Sequence, residues 1–236
     1  MRVINCKDYD EVSRVAADIV GAQVVLKPDC VLGLPTGGTP IGMYDELSKR
    51  GLDFSKVKTF NLDEYYPIKR ANDQSYHFFM NQELFSKINI DLQNTNVPNG
   101  EASDPLKECE DYEAKIAVAG GVDLQVLGIG QNGHIGFNEP GDSLVSKTHV
   151  IELTENTIEV NSRYFEKIED VPKKALTMGM GTINCARKII ILACGAEKRA
   201  VVAGLLSGEI KTENPATFLH LHPDVTLIVD EAAIKY

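Results

Sequence analysis

His134 and Glu139 stand in the run Gly128-Ile-Gly-Gln-Asn-Gly-His-Ile-Gly-Phe-Asn-Glu-Pro140. An imidazole and a carboxylate this close in the chain can share or pass a proton, the chemistry of general acid–base catalysis. The run follows the apolar stretch Leu124-Gln-Val-Leu-Gly128, so the pair is expected in a loop at the carboxyl end of a strand, where α/β proteins keep reactive groups. Gly128, Gly130, Gly133 and Gly136 surround the histidine. Residues without side chains are costly to order, so their density implies that something approaches the backbone closely. A bare turn capped by His134 is the plainer alternative, and the glycines weigh against it.

Three further groups fit the same picture. Leu34-Pro-Thr-Gly-Gly-Thr-Pro40 lies between a strand pattern and a helix pattern. Amides of a Gly37-Gly38 turn beside a helix N-terminus form an anion site, and Thr36 and Thr39 add hydroxyl donors. The Gly-Lys-Ser/Thr ending of a P-loop is missing. A tight turn with Thr39 as N-cap is the simpler reading, and it does not exclude an anion. Phe60-Asn-Leu-Asp-Glu-Tyr65 ends a strand in two carboxylates. Alternation along a strand would aim one of them inward, as a general base, and the next to solvent. A helix cap or salt bridge is the competing role. Arg163, in Asn161-Ser-Arg-Tyr-Phe165, and Lys198 or Arg199, in Gly195-Ala-Glu-Lys-Arg-Ala200, are cations in an acidic chain. A cation in the first turn of a helix is disfavoured unless an anion also sits there, which marks Lys198 or Arg199 as a phosphate contact.

The bulk properties narrow the class. The chain has 236 residues and a formal net charge of -10, which argues against nucleic acid or an anionic membrane as partner. Any anionic ligand must be held by few, local positive groups. Cys6, Cys30, Cys109, Cys185 and Cys194 are odd in number and lack CxxC spacing, so neither a disulfide framework nor a zinc site is indicated. His220 and His222 alternate as in a strand, with no third ligand nearby, and read as core or edge histidines. No metal is expected. Without a signal-peptide core or an apolar run long enough to span a bilayer, a reducing cytoplasm is the expected location.

The elements that must position these groups alternate between strand and helix. Strands are expected at Met1 to Asn5, Cys30 to Leu34, Val57 to Leu62, Val122 to Gly128, Lys188 to Cys194 and Val225 to Val229. Helices are expected at Asp10 to Lys27, Pro40 to Arg50, Ser75 to Ile88, Asp104 to Ala119 and Ala196 to Ser207, where apolar residues recur with helical period. Continuous apolar strands separated by helices predict an α/β fold, with a mostly parallel central sheet covered by helices on both faces. Residues 140–180 are polar, mixed and strand-poor. They are read as a mobile lid over the site, within one domain spanning 1–236.

Four of these motifs, Leu34 to Pro40, Asn61 to Tyr65, Gly128 to Pro140 and Asn161 to Phe165, occur in the order in which they are found in the glucosamine-6-phosphate deaminase (isomerase) family, which the chain closely resembles over nearly its whole length. The resemblance implies a Rossmann-like three-layer sandwich and a reaction without organic cofactor. Glucosamine 6-phosphate and water would become fructose 6-phosphate and ammonia. It implies that Asp63 moves the C2 proton, that His134 opens the sugar ring, and that Glu139 supports His134. Thr36, Gly37, Gly38, Thr39, Arg163 and Lys198 would surround the phosphate.

Two departures stand out. Many members carry aspartate where this chain has Asn132, which can orient His134 but cannot stabilise an imidazolium by charge. Longer members are hexamers activated by N-acetylglucosamine 6-phosphate, using cations where this chain has His149 and Ile151 and a C-terminal extension beyond the equivalent of Tyr236. The expectation is therefore hyperbolic kinetics, no activator response, and a monomer or small homo-oligomer. Two rival functions exist: a 6-phosphogluconolactonase-like hydrolase, which would activate water rather than deprotonate carbon, and a non-catalytic sugar-phosphate sensor.

Overall fold

The computed structural model describes residues 1–162, 165 and 167–234, with the backbone alone at 155, 156, 160 and 161. Ten strands are present among them: β1 (Arg2–Cys6), β2 (Val31–Leu34), β3 (Lys58–Asn61), β4 (Asp63–Tyr66), β5 (Thr95–Asn96), β6 (Leu124–Gly128), β7 (His149–Glu152), β8 (Lys174–Thr177), β9 (Lys188–Ala193) and β10 (Val225–Asp230). The helices are α1 (Tyr9–Leu26), α2 (Ile41–Ser48), α3 (Tyr76–Glu83), α4 (Pro105–Val118), α5 (Glu155–Ser162), α6 (Met180–Asn184), α7 (Arg199–Leu206) and α8 (Glu231–Ile234).

Seven strands form one parallel sheet in the order β1-β10-β9-β6-β2-β3-β5. Its two faces can be read along β9: Ile189 and Ile191 join one core cluster, Ile190 and Leu192 the other. Successive side chains of a strand point to opposite faces, so a strand covered on both sides must be apolar throughout. The first cluster packs against α4, α6 and α7, the second against α1, α2 and α3. The result is the expected α/β three-layer arrangement. From β2 the chain runs outward through β3 to β5, and from β6 it runs the other way through β9 to β10. The switch point lies between β2 and β6, and the loops leaving those two strands flank the crevice where open α/β sheets bind ligands.

The 140–180 segment differs from its strand-poor expectation. It holds β7 and β8, which join β4 in a separate antiparallel sheet of order β4-β8-β7. Asp63–Tyr66 thus opens a new strand rather than ending β3. His220 and His222 depart from the strand alternation as well. His220 lies in a 3-10 helix, Pro215–Leu221, and His222 is its C-cap. His222 is buried, with its Nε2 2.7 Å from the Ala186 carbonyl. All five cysteines are free.

Candidate active site

The loop after β2 is drawn tight from below. Asn61, the last residue of β3, donates from Nδ2 to the Leu34 carbonyl at 3.0 Å, and the buried Tyr44 hydroxyl donates to the Pro35 carbonyl at 2.5 Å. Gly37 and Gly38 are exposed, and Thr36 and Thr39 are half-buried. Among the described residues, neither threonine hydroxyl has a hydrogen-bond partner. Thr39 is not the N-cap: that position is Pro40, and no side chain there caps α2.

Asp63 and Glu64 occupy opposite sides of β4, and both are buried, at 6% and 2% exposure. The expectation that one would face solvent fails because the second sheet and α3 cover both sides. Glu64 completes the capping of α3, whose N-cap is Ser75, by accepting from the N–H groups of Tyr76 and His77 at 2.9 and 3.0 Å, and it also accepts from Tyr65 at 2.9 Å. Burial pushes it up to about 7 against the pull of those three donors. Asp63 has no donor among the described residues. Burial pushes its carboxyl up to about 8, and the neighbouring Glu64 charge adds to the rise. Removing a carboxylate from water without supplying donors favours its neutral form, so Asp63 is the more readily protonated of the two.

The imidazole is held differently. Asn132 Nδ2 donates to Glu139 Oε2 at 2.7 Å, and Asn132 Oδ1 lies 2.8 Å from His134 Nδ1. Glu139 Oε1 is 3.6 Å from the same ring nitrogen and accepts from the α5 residue Thr157 at 3.2 Å. Burial acts to raise Glu139, but the bonds from His134, Asn132 and Thr157 together hold it below the usual range. The network also assigns the tautomer. A carboxylate only accepts, so the Asn132 amide nitrogen faces Glu139 and its oxygen faces the ring. Nδ1 must then carry the proton, which leaves a lone pair on Nε2. At Gly130 an added methyl group would collide with the imidazole, so the ring seats directly on backbone.

Gly136 brings the two groups together. Its φ is +59°, and a methyl group placed there would lie 3.1 Å from Asp63 Oδ2 and 2.9 Å from Thr177 Oγ1. The loop that carries His134 therefore closes directly on the Asp63 carboxylate. An aromatic cluster keeps it there: Phe137 lies 5.7 Å from Tyr65 and 6.1 Å from Tyr76, centroid to centroid. The buried phenols Tyr44 and Tyr112 are held up in pKa by burial and by the nearby Asp63 charge, with their hydroxyls on the Pro35 carbonyl and on the Asn61 and Asn96 carbonyls. Thr157, Thr177, Tyr44, Tyr76 and Tyr112 are absent from the sequence motifs; only their positions in space reveal them.

The cations separate. Lys198 ends a 3-10 turn just before α7, is half-buried, and is lowered by burial against the opposing charge of Glu197. It lies on the same carboxyl edge of the sheet as the Thr36–Thr39 turn. Arg199 is committed elsewhere, donating to the Ala232 carbonyl at 2.8 Å. Arg163 lies outside the described residues. Among the described residues no group of His, Cys, Asp and Glu could hold a metal, and no helix is long and apolar enough to cross a membrane.

A parallel α/β sheet with a buried carboxylate and an oriented imidazole at its carboxyl edge is the architecture of an α/β enzyme whose ligand sits beyond the strand ends. Comparison with known proteins makes the class specific. Residues 9–228 match the family model for glucosamine-6-phosphate isomerases and 6-phosphogluconolactonases, and the chain belongs to that family. It is 54% identical to the glucosamine-6-phosphate deaminase of Clostridioides difficile strain 630, over 99% of this chain and 95% of that one. Identity to the Clostridium botulinum strain Kyoto deaminase is 53%, over 100% and 98%. A solved monomeric glucosamine-6-phosphate deaminase superposes with a TM-score of 0.95 at 46% identity, covering 99% of this chain and 98% of that one. The 6-phosphogluconolactonase of Trypanosoma cruzi shares the fold, with a TM-score of 0.79 at 23% identity over 98% and 95% of the two chains.

Proposed function

We propose that the protein converts glucosamine 6-phosphate and water to fructose 6-phosphate and ammonia, with Asp63 and His134 acting at the two reacting ends of one open sugar. The observation that carries this reading is the closure of the Gly136 turn on Asp63 Oδ2, which sets the imidazole loop and the buried carboxylate at one crevice.

The chemistry follows from the two environments. His134 Nε2 takes the proton of the anomeric hydroxyl and the imidazolium delivers it to the ring oxygen as the C1–O5 bond breaks, giving the open aldehyde. Glu139, through Asn132 and directly, stabilises the imidazolium formed on the way. Asp63 then removes the C2 proton while the aldehyde oxygen takes up one from solvent, giving an enolamine, and the protonated Asp63 delivers its proton to C1. The resulting iminium at C2 takes up water and expels ammonia, leaving the ketose. A carboxyl held near 8 is matched to this work, because it both takes and gives a proton near neutral pH. The Thr36–Thr39 turn, with Lys198 and Arg163, holds the phosphate, so that geometry supplies the rest of the acceleration.

Residues 140–180 form a lid, with Thr157 tying α5 to Glu139. The protein works as a monomer in the cytoplasm, where its free cysteines stay reduced. The test is an assay of ammonia and fructose 6-phosphate released from glucosamine 6-phosphate by the purified protein. Both products in equal amounts are expected. Hydrolysis of 6-phosphogluconolactone without ammonia release from the amino sugar would contradict the reading.

A further inference from the structure

We propose that Tyr9 is a positioning residue for the phosphate turn, fixing the Gly38–Thr39 peptide so that the Thr39 N–H faces the ligand; this rests on the phosphate reading of that turn. Tyr9 is the first residue of α1 and far from the turn in sequence, yet its hydroxyl lies between two backbone groups of the β2–α2 connection. It accepts from the Gly42 N–H at 2.8 Å and lies 3.2 Å from the Gly38 carbonyl. A phenol has one proton. With its oxygen accepting from Gly42, that proton is free to go to Gly38.

The peptide plane turns this bond into an orientation. In a trans peptide the carbonyl and the following N–H point in opposite directions, and the turn contains no cis bond. Holding the Gly38 carbonyl toward Tyr9 therefore aims the Thr39 N–H outward. Tyr44 does the same one turn earlier: its bond to the Pro35 carbonyl aims the Thr36 N–H outward. Tyr9 also replaces the helix cap that Pro40 does not supply, since Gly42 N–H is one of the first-turn amides of α2 that has no partner within the helix. The ring is seated closely, because a methyl group at Gly42 would lie 3.0 Å from it. Apart from Tyr9, the Gly38 carbonyl accepts, among the described residues, only the long 3.4 Å bond from the Ile41 N–H; with exposed glycines at 37 and 38 that leaves the turn looser, and ordering it on binding would weaken affinity.

Tyr9→Phe keeps the ring against Gly42 and removes only the hydroxyl. The expected result is a KM for glucosamine 6-phosphate raised roughly three- to tenfold, as for one lost hydrogen bond, with kcat within about twofold. Inorganic phosphate, used as a competitive inhibitor and titrated directly by calorimetry, should weaken by the same factor. Unchanged KM and phosphate affinity would overturn the proposal, as would a loss confined to kcat or to melting temperature. Should the wild-type protein release no ammonia, the deaminase reading fails, and phosphate calorimetry on the two proteins still decides the role of Tyr9. Failure of phosphate to bind even the wild type would also overturn it.

Discussion

Asp63 and the His134 relay meet at one crevice but are prepared for proton transfer in opposite ways. Asp63 is buried on a strand, receives no hydrogen bond among the described residues, and owes its raised pKa chiefly to lost water. His134 is 38% exposed on a loop and is governed by partners: Asn132 fixes its tautomer, and Glu139 waits to share its charge. Desolvation gives a base that is strong but sensitive to any nearby charge. A relay gives an acid–base group that stays wet and mobile yet points one way. The proposed place of the dry group, at carbon, suits the chemistry, since a C–H proton is the harder one to remove.

The largest effect expected is that of Asp63→Asn. It should bind sugar phosphate normally and lose ammonia release by at least about 10². Glu139→Gln should cost about tenfold in kcat, the worth of one charge-assisted bond to the imidazolium, measured by the same assay. Glu64→Gln sharpens the contrast, since it acts on Asp63 without touching the relay. Removing the adjacent negative charge should favour ionised Asp63, so the acid limb of the kcat/KM profile should move to lower pH from a wild-type limb set by a group near 8.

Stability should respond too. A carboxyl raised to about 8 in the fold but near 3.9 unfolded stabilises fully at low pH and loses that contribution as pH rises toward 8. Asp63→Asn, which does not ionise, should therefore gain on the wild type in denaturant melts as pH rises from about 4 to 8. The smallest effect is expected for Asn132→Asp, which should stay active with a shifted pH–rate profile. Identical profiles would remove any electrostatic part for position 132.

The same two regions show what a sequence reveals. Six strands of the large sheet were legible because a strand covered on both faces must be apolar throughout, as in Lys188–Ala193; the two-residue edge strand β5, Thr95–Asn96, carries no such run and was missed. The Gly128–Pro140 loop was legible because its glycines have a steric cause, realised where the imidazole sits on Gly130 and where Gly136 meets Asp63. The antiparallel sheet was not. Asp63–Tyr66, His149–Glu152 and Lys174–Thr177 are four-residue strands, two of them rich in polar side chains, and β4 pairs with a segment more than a hundred residues away. That sheet buries Glu64, which alternation alone would have sent to solvent. Tyr9, Tyr44 and Thr157 were hidden for a related reason: each acts through one atom on a backbone or side chain that no local pattern links to it.

Loss of deuterium from C2 of glucosamine 6-phosphate labelled there, followed in wild type and Asp63→Asn while interconversion of the sugar's anomers is monitored in the same sample, separates the two halves of the site. The account predicts that the variant still opens the ring but releases the label at least about 10² more slowly. Release at the wild-type rate would mean that another group takes the C2 proton, and Asp63 would lose its assigned part.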